Sequence, residues 1–86
     1  MDYSKDITNR LKRVEGQIRG VIRMMEDQKA CADIVTQLSA VKGAIDRTIG
    51  IIVSNNLEQC VRENMKDGSD TSEVVNEAIQ LLVKSR

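Results

Sequence analysis

A very long helix is the natural reading of the stretch from Ala30 to Lys66. Ile34, Val35, Leu38, Val41, Ile45, Ile49, Ile52, Val53, Leu57 and Val61 recur there at helical steps, the pattern of one continuous apolar face. The sequence contains no proline, and the first strong stop is Lys66-Asp67-Gly68, where Gly68 reads as a C-terminal cap. A helix of about 35 residues extends about 50 Å, against a radius of gyration of about 12 Å for a compact chain of this length. Flanking helices of about 22 and 15 residues cannot cover such a rod, so it is expected to pack against the same helix of a second copy. The alternative is a break at Gly43 or Gly50, since a glycine costs a helix about 1 kcal/mol and a break would allow a compact bundle.

The segments on either side also read as helices. From about residue 4 to 27, Ile7, Leu11, Val14, Ile18, Val21, Ile22 and Met25 form one face. From about 71 to 84, Val74, Val75, Ala78, Ile79, Leu82 and Val83 form another, opened by Asp70-Thr71-Ser72-Glu73 with capping-box spacing and an acid in place of the hydroxyl. Tyr3 is the one aromatic residue, so any core is built from aliphatic side chains, an alphabet that suits helix packing. The expected fold is all-α: a three-helix protomer with a long central helix, forming one domain over residues 1–86. A chain of 86 residues buries too little surface to be amply stable alone, which again favours self-association.

Thirteen basic and thirteen acidic residues cancel, yet they are unevenly distributed. Lys5, Arg10, Lys12, Arg13, Arg19 and Arg23 outnumber Asp2, Asp6 and Glu15 in the first segment. Glu58, Glu63, Asp67, Asp70, Glu73 and Glu77 outnumber Arg62 and Lys66 near the other end. A basic first helix can offer a positive surface to nucleic acid whatever the total charge. With Arg10 set at 0° around that helix, the apolar stripe centres near about 65°; Arg10, Arg13 and Gln17 then share one flank, and Lys12, Arg19 and Arg23 occupy the far side. Surface charge more often faces solvent without further purpose, and no helix-turn-helix is visible. No apolar run suits a secretory signal or a membrane span, so a cytoplasmic protein without a membrane partner is expected, its two cysteines resting reduced.

Cys31 and Cys60 lie within about 20° of each other around the long helix but about 43 Å apart along it, so they cannot meet within one chain while it is intact. In an antiparallel pair of these helices crossing near Ile45 and Asp46, Cys31 of one copy faces Cys60 of the other, and symmetry makes two such sites. The plainer reading is that both are small buried hydrophobes. Asn56, one turn before Cys60, shares their face, but a neutral amide oxygen is a poor partner for the soft metals that thiolates select.

Taken together, these residues resemble the copper-sensitive operon repressor family and its nickel- and formaldehyde-sensing relatives. The carrying motifs are Arg10-Leu11-Lys12-Arg13-Val14-Glu15-Gly16-Gln17-Ile18-Arg19-Gly20, Cys31 at the start of helix 2, Gln37-Leu38-Ser39-Ala40-Val41, and Asn56 followed by Cys60. The resemblance implies a DNA-binding tetramer built as a dimer of antiparallel dimers. Copper sensors of this family carry Cys, His and Cys where this chain has Cys31, Asn56 and Cys60. The sequence contains no histidine, which also removes the ligands of the nickel and cobalt sensors, and Met1-Asp2-Tyr3 departs from the Pro-His start of the formaldehyde branch. What remains is similar to the persulfide-sensing branch, the CsoR-like sulfurtransferase repressors. These keep both cysteines, lack the histidine, and control genes for sulfide and sulfane-sulfur detoxification.

The implied function is a repressor of operator double-stranded DNA, released when low-molecular-weight persulfides or polysulfides link Cys31 and Cys60 of neighbouring protomers. A thiolate attacks a sulfane sulfur and a second thiol resolves the product, so two facing thiols suffice. Cys31, near the positive end of helix 2 and beside Lys29, is assigned as the attacking thiol despite nearby Asp33, with Cys60 resolving. The family further implies DNA contacts from the positions of Arg10 and Arg47, to which Arg13, Gln17, Lys12 and Arg19 are added as candidates. No cofactor and no resident metal are expected. The alternatives are a copper(I)-responsive repressor or copper-binding module using the two cysteines, and a plain helical interaction protein. An enzyme is disfavoured: there is no histidine general base, no CxxC, no glycine-rich phosphate loop and no carboxylate cluster with apolar walls.

Overall fold

The computed structural model describes residues 2–85 and contains three helices there, with no strand: α1 (Lys5–Glu26), α2 (Cys31–Asp67) and α3 (Ser72–Lys84). Each expected helix is present with its ends within about one residue of the sequence-based bounds, well inside the usual uncertainty of helix termini. The apolar register does produce one helix: α2 continues through Gly43 and Gly50 without a break. The chain forms two compact units, Asp2–Thr48 and a second that begins at Ile49.

The first unit is a helical hairpin. Ser4 caps α1, its hydroxyl accepting from the Ile7 amide at 3.4 Å. Ile7, Val14 and Val21 are buried at seven-residue intervals on α1, and Val41 and Thr48 are buried at the same interval on α2. Matching periods on two helices joined by a short turn form a coiled-coil-like seam. Thr48 satisfies its hydroxyl internally by donating to the Ala44 carbonyl at 2.9 Å, which makes a polar residue tolerable at 3% exposure. The seam takes only one edge of the apolar stripe. Leu11, Ile18, Ile22 and Met25 on α1, with Val35, Leu38 and Ile45 on α2, remain exposed.

Residues 27–30 join α1 to α2. The Gln28 amide donates to Met25 O and the Lys29 amide to Met24 O, a Schellman closure that requires Gln28 at φ +56°. A side chain there costs about 1–2 kcal/mol relative to a right-handed conformation.

In the second unit the same closure recurs with the residue it favours. Gly68, at φ +71°, donates to Met65 O and Ser69 donates to Asn64 O, so the expected glycine cap is present. The start of α3 differs from the expected capping box. The Asp70 carboxylate accepts from the Ser72 amide at 3.0 Å and the Ser72 hydroxyl at 2.9 Å, two residues on, while Thr71 occupies the N-cap without a side-chain bond. Those bonds hold the Asp70 carboxyl below the ordinary carboxylate range. Among the described residues of this unit Val53 and Ala78 alone are buried, and Val75, Ile79, Leu82 and Val83 of α3 are exposed. Among the described residues no helix is long and apolar enough to cross a membrane.

Candidate functional site

Four of the six residues considered for DNA binding come together in the first unit. Arg10, Arg13 and Gln17 from α1 and Arg47 from α2 line one cleft of about 180 Å³, floored by Val14, Ala44 and Thr48. Helical spacing explains the α1 share, since positions 10, 13 and 17 lie on adjacent rows one turn apart. Arg47 joins them because it precedes Thr48, whose burial turns this part of α2 toward α1. Its guanidinium lies back over Gly43, where an added Cβ would stand 3.5 Å from Nη1.

The charges in the cleft are sparsely compensated. Arg10 donates from Nε to Asp6 Oδ2 at 3.4 Å, long for a charge-assisted bond. Among the described residues Arg13 and Arg47 form no ion pair. Lys12 and Arg19 do not line the cleft; both are exposed, and Arg19 pairs with Glu15 at 3.3 Å. The buried Thr48 and the small Ala44 beneath the arginines were not singled out from sequence as part of a site. The signal was available, because Thr48 falls seven residues after Val41 in the buried register.

The cysteines occupy different settings on α2. Cys31 is its first residue and is exposed; Cys60 is half-buried, and both are free thiols. Cys60 Sγ donates to Asn56 Oδ1 at 3.9 Å, a weak bond between residues one turn apart. Among the described residues of the single chain, no three metal-ligating side chains of the His, Cys, Asp and Glu types come together.

Comparison with known proteins gives the setting for these two features. The family model described as metal-sensitive transcriptional repressor matches residues 3–84. The chain is 59% identical to the Bacillus subtilis protein YrkD over 63 residues, covering 73% of this chain and all of that one. It is 37% identical to the copper-sensing transcriptional repressor CsoR of the same organism over 78 residues, 91% of this chain and 76% of that one. Among solved structures, the nickel-responsive transcriptional regulator InrS superposes with a TM-score of 0.82 at 28% identity, covering 99% of this chain and 94% of InrS. With a three-helix fold in common and a match spanning nearly its whole length, the chain belongs to the metal-sensitive transcriptional repressors.

Proposed function

We propose that this repressor is a cytoplasmic homo-oligomer, one sensor domain per chain, that binds operator DNA through Arg10, Arg13, Gln17 and Arg47 and responds to reactive sulfur through Cys31 and Cys60. The observation that carries the sensing half is the thiol pair itself. An exposed thiol opens α2 and a half-buried one follows on the same helix, at a spacing that suits one helical face, with the amide of Asn56 one turn before Cys60. The uncovered residues Leu11, Ile18, Ile22, Leu38 and Ile45 supply an apolar surface for a second copy to cover.

The chemistry balances with a persulfide as sulfur donor. The Cys31 thiolate takes the sulfane sulfur of a persulfide RSSH, releasing the thiol RSH and leaving a persulfide on Cys31. The Cys60 thiolate of a second copy attacks the Cys31 sulfur, closing an inter-subunit disulfide and expelling hydrosulfide. A polysulfide donor gives a bridge longer by whole sulfur atoms. Bridging ties two subunits at fixed spacing and releases DNA if the bound state needs another spacing.

Persulfide treatment should give a covalent dimer of twice 9.6 kDa on non-reducing gels, with a Cys31 to Cys60 link, reversal by reductant and loss of operator binding. Cys31→Ala should abolish linkage and release, whereas Cys60→Ala should retain a persulfide on Cys31 and form no Cys31 to Cys60 bridge.

A copper(I)-responsive repressor is the second reading, favoured by the likeness to a copper-sensing relative and by the affinity of two thiolates for copper(I). Release by copper(I) alone, with persulfide-treated protein uncrosslinked and still bound to operator, decides for it.

A further inference from the structure

We propose that the cleft between Arg10, Arg13, Gln17 and Arg47 is a seat for a single tetrahedral oxyanion. A backbone phosphate fills it when operator is bound, and free inorganic sulfate or phosphate fills it otherwise. The DNA half of this inference rests on the repressor reading above; the free-anion half does not.

Three arginines line about 180 Å³, and nearby Asp6 pairs with Arg10, through Nε. Among the described residues the terminal amino groups of Arg10 form no hydrogen bond, and Arg13 and Arg47 have no acidic partner. Holding like charges around one space is unfavourable unless an anion enters it. Arg13, Gln17 and Arg47 are exposed and Arg10 is half-buried, so an anion can reach the cleft from solvent. Thr48 Oγ1 is committed as a donor to Ala44 O, so the donors left for an oxyanion are the guanidinium forks and the Gln17 amide.

Size and shape select the ligand. Organic ligands occupy pockets of about 300–1,000 Å³, more than this cleft offers. No aromatic side chain lines it, so nothing there stacks a base. Planar forks match the paired oxygens of phosphate or sulfate.

The test uses the full chain. Binding to labelled operator duplex is measured while sodium sulfate or phosphate replaces sodium chloride at equal ionic strength, alongside thermal melts of DNA-free protein in the same salts. For a seat with a Kd of about 1 mM, about 10 mM oxyanion should weaken operator binding about tenfold for each seat that the DNA occupies, beyond chloride, and raise the melting midpoint. Arg47→Lys, which keeps the charge and loses the fork, should remove both excess effects, and Lys12→Ala should retain them. Sulfate and phosphate indistinguishable from chloride in both assays overturn the seat while leaving any operator binding, and the repressor reading with it, intact. Failure to bind operator, with the oxyanion-specific rise in melting midpoint still present, overturns the repressor reading and leaves the free-anion seat standing. Equal loss of the excess effects in Lys12→Ala overturns the seat in favour of diffuse charge.

Discussion

The hairpin of residues 5–48 buries Ile7, Val14, Val21, Val41 and Thr48, whereas the described residues from Ile49 onward bury Val53 and Ala78 alone. Both contain an α-helical turn closed by a Schellman motif, one with Gln28 and the other with Gly68 in the left-handed position. The contrast lies in what each finishes. Within the hairpin, one chain brings Arg10, Arg13, Gln17 and Arg47 around one cleft. The second portion holds one thiol, Cys60, and the link to Cys31 proposed above requires a second copy. A site made by neighbouring turns of two packed helices is complete in the protomer. A site made by two points on one rod is not.

Replacing the arginine at the heart of the finished site should have the largest effect. On the proposed DNA-binding role, Arg47→Ala should weaken operator binding about 100-fold, the loss expected for two phosphate contacts of about 1.4 kcal/mol each. Fluorescence anisotropy would measure it, with helicity and oligomeric mass unchanged; the same loss in Lys12→Ala would erase the distinction between the cleft and the far side of α1.

Next comes the seam that builds the cleft. Val21→Ala removes two buried carbons and should cost about 2 kcal/mol in denaturant unfolding. Val53→Ala, at the sparser core, should cost less in protein diluted below its association range. Equal losses would show the two portions to be packed alike.

The two turns can be made equivalent. Gln28→Gly should stabilise the chain by about 0.5–1 kcal/mol, the relief of a left-handed side chain less the added freedom of the unfolded glycine. Gly68→Gln should destabilise by a similar amount, and thermal melts of the pair would show whether the turns differ in backbone cost alone.

The smallest effect concerns the start of α3. The Asp70 carboxyl is held below its ordinary range by the Ser72 amide and then by the Ser72 hydroxyl. A carboxyl lowered on folding contributes stability above its unfolded value and loses it as pH falls through the folded one. Fraying of α3 should therefore increase below about pH 4, the ordinary carboxylate value. Residue-resolved amide exchange should detect it, and Asp70→Asn should remove the pH dependence while leaving the hairpin unaffected.

All three helices were legible because apolar periodicity, the absence of proline and the Gly68 stop are local properties that no packing had to supply. The split of basic residues was legible too, since rotation per residue places Arg10, Arg13 and Gln17 together and Lys12 and Arg19 elsewhere. Other features depended on packing between helices. Which edge of the α1 stripe is buried, Ile7, Val14 and Val21 rather than Leu11, Ile18 and Ile22, was decided by the seam with Val41 and Thr48. That seam brings Arg47 to the α1 arginines, a pairing across more than thirty residues that no periodicity encodes. Gln28 in a left-handed conformation was likewise a tertiary outcome: closing the hairpin over its buried seam outweighs a local cost of about 1–2 kcal/mol.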